Sequence, residues 1–91
     1  MAVTVKLPTQ LRAAAGGASA VPVEGATVGA VLEALYSEHP ELRDSLSDGD
    51  GGLRRFVNVY VDGEDVRFLD GLETPVAEGG EVNVLPAVAG G

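Results

Sequence analysis

Apolar and polar positions alternate from the start of the chain. Across residues 2–7, Val3, Val5 and Leu7 fall on one face and Thr4 and Lys6 on the other, as in a half-buried strand. Pro8 through Gly17 breaks this alternation, and the Gly16-Gly17 pair predicts a hairpin-like return. Residues 18–23 form a weaker second strand, with Ala20 and Pro22 alternating against Val21 and Val23. Pro22 has no N–H to give to a neighbour, which places that strand at a sheet edge. The period then changes. Thr27 is suited to an N-cap, and Val28, Val31, Leu32 and Leu35 follow at i, i+3, i+4 and i+7, the stripe of a core-facing helix. Pro40 ends or interrupts it, and His39 just before is read as a solvated residue favoured by the helix dipole. Glu41 to Leu46 adds a short second helical piece.

Phe56-Val57-Asn58-Val59-Tyr60-Val61 is the strongest strand, with three valines facing one way. Asp62-Gly63 is a tight-turn signal, and Val66 and Phe68 alternate in a short fourth strand. Gly71-Leu72-Glu73-Thr74-Pro75 reads as a turn or 3₁₀ piece. Gly79-Gly80 leads into a final strand, Glu81 to Leu85, with Val82 and Val84 inward. The order β-β-α-β-β-β predicts an α+β fold with a mixed sheet of four to five strands and one main helix on one face. Val3, Val5, Val57, Val59, Val61, Val82 and Val84 would meet Val28, Val31, Leu32 and Leu35 in one core. No repeat or linker is visible, so residues 1–85 are expected to form one domain and 86–91 a flexible tail.

Composition removes most activities. Ninety-one residues lie near the lower end of sizes that bury a sufficient core without staples. Fourteen acidic against six basic residues give a net charge of −8. Such a surface is repelled by nucleic acid and by anionic membranes, and suits either solubility or steering toward basic partner surfaces. No run of 18 apolar residues is present, and no basic segment with an apolar stretch behind it opens the chain; a cytoplasmic protein is expected. Lys6 is the only lysine, so no Gly-x-x-x-x-Gly-Lys-Ser/Thr phosphate loop exists. With His39 the sole histidine and no cysteine, zinc sites and Cys–His or Ser–His nucleophile pairs are excluded. Asp48-Gly49-Asp50-Gly51-Gly52 begins like a calcium loop, but Gly52 and Leu53 stand where Asp or Asn and then Gly are required. The chain is expected to bear no catalytic residue, no metal ligand and no bound cofactor.

What remains is the end of the sequence, Leu85-Pro86-Ala87-Val88-Ala89-Gly90-Gly91. No charged side chain follows Glu81, and the last two residues have no Cβ. Two glycines let a narrow tunnel close around the backbone, since nothing projects sideways. Extended, residues 86–91 would reach roughly 20 Å at about 3.3 Å per residue, enough to carry the Gly91 carboxylate into another protein's buried pocket. Pleat alternation adds a candidate docking patch beside the tail. If the valines face the helix, Phe56, Asn58, Tyr60, Asn83 and Leu85 face out on the opposite side.

The first strand pair, the helix opening Glu24-Gly25-Ala26-Thr27-Val28-Gly29-Ala30-Val31, and a last strand running straight into Gly-Gly resemble the ubiquitin-like β-grasp sulfur carriers of the MoaD and ThiS type. The hairpin from Phe56 to Phe68 and the ending from Leu85 to Gly91 look most like the CysO type. The resemblance implies a carrier, not an enzyme. It implies that a partner resembling ubiquitin-activating enzymes uses ATP to adenylate Gly91, and that sulfur then replaces AMP to leave a thiocarboxylate. Leu85, Pro86, Ala87, Val88, Ala89 and Gly90 would enter the partner. In the CysO-like case a pyridoxal-phosphate-dependent cysteine synthase takes the sulfur onto O-phosphoserine, and a metal-dependent hydrolase releases cysteine. Molybdopterin, thiamin and thiosugar pathways, or a role as a protein modifier, are the alternatives.

Overall fold

A computed structural model describes residues 2–47 and 57–86. It contains the strands β1 (Val3–Lys6), β2 (Ala20–Val23), β3 (Val57–Val61), β4 (Glu64–Asp65) and β5 (Glu81–Pro86). The helices are α1 (Thr9–Arg12), α2 (Val28–Glu38) and α3 (Pro40–Leu46). The five strands form one sheet in the order β2-β1-β5-β3-β4. β1 and β5 run parallel, with Val5 opposite Val82, and every other pair is antiparallel. The expected α+β class with a mixed sheet is therefore observed. Pro22 lies on the edge strand β2, as its missing donor requires.

The two periodicities meet in one core. Every second residue of β1, β3 and β5 turns inward, so Val3, Val5, Val57, Val59, Val61, Val82 and Val84 are buried. Val28, Val31, Leu32, Leu35 and Tyr36 of α2 cover them, and α3 adds Leu42 and Leu46. α2 starts where the sequence predicts. Thr27 is extended, and its hydroxyl oxygen accepts from the Ala30 N–H at 3.2 Å, satisfying a donor that the first turn leaves unpaired. The His39 N–H closes the other end on the Leu35 carbonyl at 2.8 Å. Asp62 and Gly63 have φ of 49° and 91°, the two positive values that a twisted two-residue hairpin needs.

Two segments differ from expectation. Residues 8–17 are more ordered than a simple return: α1 is followed by a 3₁₀ turn, Ala13–Ala15, that buries Ala15 and ends at Gly16 with φ 68°. The alternating Val66 and Phe68 do not form a strand. The pairing on β3 belongs to the polar residues Glu64 and Asp65, and Val66–Phe68 is a 3₁₀ turn. Asp65 causes the change, because its carboxylate accepts from the Arg67 N–H at 2.8 Å and caps the turn. The segment 48–52, which begins like a calcium loop, lies outside the described residues.

Candidate functional site

β5 occupies the middle of the sheet, bonded to β1 on one side and β3 on the other. Its last residue, Pro86, stands opposite Val57, one residue beyond the strand end read from the sequence. The tail is thus rooted in the most supported strand of the fold. Ala87, Val88, Ala89, Gly90 and Gly91 lie outside the described residues, and so does Phe56.

The register fixes what surrounds this root. Asn58 is opposite Leu85 and Tyr60 opposite Asn83, so these four share the sheet face away from the helices. Leu85 is exposed at 45%, whereas Asn58, Tyr60 and Asn83 are half-buried by their neighbours. The expected patch is therefore a shallow polar and aromatic surface with a single projecting aliphatic side chain. Lys6 lies beside it, opposite Asn83 on β1, and its ammonium pairs with Glu81 at 3.1 Å. Asn83 donates to the same carboxylate at 3.2 Å. These two donors, Lys6 first, hold the Glu81 carboxyl below its ordinary pKa of 4.5. The pair is exposed and adds little to stability.

Two arginines that pattern reading had not singled out flank the root. Beyond Lys6, where the β1–β5 pairing ends, a groove of about 450 Å³ opens between Leu7, Arg12 and Leu85. Arg12 Nε donates to the Leu7 carbonyl at 3.2 Å, fixing the guanidinium beside the opening. On the other side, Arg67 donates at 2.9 Å to the carbonyl of Val57, the residue paired with Pro86. Three basic residues, Lys6, Arg12 and Arg67, thus gather around the end of β5 although the net charge is −8. The sequence signal was available only as two isolated arginines in stretches read as turn and strand. Among the described residues, no group of three or more His, Asp or Glu side chains is placed to hold a metal. No helix among them is long and apolar enough to cross a membrane.

A five-stranded mixed sheet with β5 at its centre and one main helix packed on one face defines a ubiquitin-like β-grasp protein. The ThiS family model matches residues 5–91. The sulfur carrier protein CysO of Mycobacterium tuberculosis is 48% identical over 93 residues, covering 100% of both chains. A chain of the Amycolatopsis orientalis BexX/CysO crystal structure superposes with a TM-score of 0.90 at 46% identity, covering 98% of this chain and 99% of that one. The small archaeal modifier protein 1 of Haloferax volcanii superposes with a TM-score of 0.85 at 34% identity, with both chains covered completely. This chain belongs to the ThiS family.

Proposed function

We propose that this protein carries sulfur on its C-terminal carbonyl. A free α-carboxylate has a pKa of about 3.5 and is an anion, and a poor electrophile, at neutral pH. An ATP-dependent partner of the ubiquitin-activating type lets a Gly91 carboxylate oxygen attack the α-phosphorus, releasing pyrophosphate. A sulfur nucleophile then attacks the acyl carbon, and AMP leaves with the electron pair. The product is a thiocarboxylate, a soft anionic nucleophile on an arm with no side chains at its tip. The chain has no cysteine to hold a persulfide, so the carried sulfur sits on the terminus itself.

One observation carries this reading: full-length likeness to CysO sulfur carriers in a chain that ends Gly90-Gly91 behind a central strand. We assign the sulfur to cysteine synthesis on the same likeness. On a pyridoxal-phosphate synthase the thiocarboxylate sulfur would take the place of the phosphate of O-phosphoserine, an S→N acyl shift would leave cysteine amide-linked to Gly91, and hydrolysis by a metallohydrolase would release the cysteine in the cytoplasm and restore the Gly91 carboxylate. The likeness to small archaeal modifier protein 1 favours a second reading, in which Gly91 is joined to lysines of target proteins.

Intact-mass spectrometry separates these. With an activating enzyme, ATP and a sulfur source, the whole chain gains the mass of one sulfur-for-oxygen exchange, and the variant lacking Gly90-Gly91 gains nothing. Adding the synthase and O-phosphoserine converts the thiocarboxylate to a cysteinyl adduct. Failure to exchange oxygen for sulfur overturns the carrier reading. Isopeptide-linked species that survive thiol reductants favour the modifier.

A further inference from the structure

At the end of the sheet opposite the tail root, two of the exposed large apolar side chains among the described residues meet the chain's acidity. Phe68 is 86% exposed and Leu69 40%. They line an open groove of about 670 Å³ with Val61, and Asp62, Glu64 and Asp70 rim it. From Val57, beside the tail root, to Val61, at this groove, β3 rises roughly 13 Å.

The exposure of Phe68 is built into the fold. In a 3₁₀ turn of three residues per turn, Val66 faces the core, so Phe68 must point elsewhere. The opposite wall is tied down. Thr74 is buried, its hydroxyl accepts from the Asp70 N–H at 3.0 Å, and its carbonyl accepts from the Val28 N–H at 2.9 Å. Val76 donates to the Ala26 carbonyl at 2.9 Å. A fixed wall loses little conformational freedom when something docks against it. Among the described residues no Lys or Arg lines the groove, and Arg67, next to Phe68 in sequence, is turned toward Val57.

We propose that this groove docks a basic segment of a partner protein, one apolar side chain lying against Phe68 and Leu69 and flanking Lys or Arg side chains meeting Asp62, Glu64 and Asp70. Charge chooses the occupant: a second copy of this chain would set two carboxylate rims against each other. Apolar contact at the centre with charge at the edge is the arrangement of a specific interface. A partner held here leaves Gly91 free to enter an active site, and raises the local concentration of the tail around it.

The chain has no tryptophan, so the fluorescence of a peptide such as Arg-Lys-Leu-Trp-Arg-Lys, blocked at both ends, reports binding without background. Titration with the full chain should saturate, with the largest amide shifts at Asp62, Phe68, Leu69 and Asp70. Phe68→Ala, and separately Glu64→Lys with Asp70→Lys, should each weaken binding about tenfold or more, the range of an interface anchor. Removal of Gly90-Gly91 should change nothing, which separates this site from the sulfur chemistry. The proposal is overturned by the absence of saturable binding, by shifts centred on Tyr60, Asn83 and Leu85, or by full affinity in both variants. Equal binding of a peptide with Ser in place of Leu and Trp overturns it as well.

Discussion

Gly25 lies in the approach to α2 and takes no left-handed φ, so its need for glycine is spatial. A Cβ built there would stand 2.7 Å from the Val31 nitrogen, 2.9 Å from the Ala30 carbonyl carbon and 3.0 Å from the Val31 Cα. These are atoms of the helix backbone, which cannot swing aside as the end of a side chain can. The loop or the whole first turn must move, and Val28 and Val31, both fully buried, move with it. Overpacking of this kind costs about 1–3 kcal/mol. The stiffer unfolded chain of an alanine variant returns about 0.4–1 kcal/mol. The net for Gly25→Ala is then about 1–2 kcal/mol, and for a domain of this size that lowers Tm by roughly 5–15 °C. Thermal unfolding followed by far-ultraviolet circular dichroism at neutral pH measures it. A Tm equal to or above that of the parent would refute the close approach.

Further expectations concern the cap and two titrating groups. Thr27→Ala removes the hydroxyl that accepts from Ala30 and should cost about 1 kcal/mol, with Thr27→Ser restoring most of the loss in the same melt. Tyr36 is pushed up to about 12 by burial first and by Glu33 second, with Arg43 opposing. In Tyr60→Phe, where Tyr36 is the remaining tyrosine, tyrosinate absorbance of the folded protein should rise near pH 12; a midpoint at 10 in folded protein would contradict this. Because the folded value is raised, the stability linked to Tyr36 is whole below pH 10 and is lost as pH climbs from 10 toward 12. Glu81 works in the opposite sense. Its folded pKa is depressed, so its contribution is present above pH 4.5 and disappears as pH falls through the lower folded value. The Tm difference between the parent and Glu81→Gln should therefore shrink below pH 4.5, and a gap that persists or widens there would count against the Lys6 and Asn83 contacts.

Strong periodicity survived the passage from sequence to structure, and weak periodicity did not. Val28, Val31, Leu32 and Leu35 repeat at a helical spacing and are buried as one stripe, and the three valines of β3 alternate and are buried together. Ala13-Ala14-Ala15 has no contrast between positions, so pattern alone could not show that Ala15 is buried by a helical turn. Val66 and Phe68 did alternate, yet a hydrogen bond from the Arg67 N–H to the Asp65 side chain overrode two residues of pattern. At the tail root, the shared face of Asn58, Tyr60, Asn83 and Leu85 follows from a side-chain period of two. The gathering of Lys6, Arg12 and Arg67 follows from tertiary path, which one-dimensional spacing does not encode.

The strand at the centre of the sheet is also the one synthesised last. β1 leaves the ribosome early, but its parallel neighbour β5 is the final strand to emerge, and Val5 waits for Val82. β1 and β2 can pair as they appear, yet β3 has only the two-residue β4 beside it until β5 slides between them. Completion of the sheet and arrival of the final residues are consequently one event in time: a nascent chain still missing Gly90 and Gly91 is also missing the keystone of its fold.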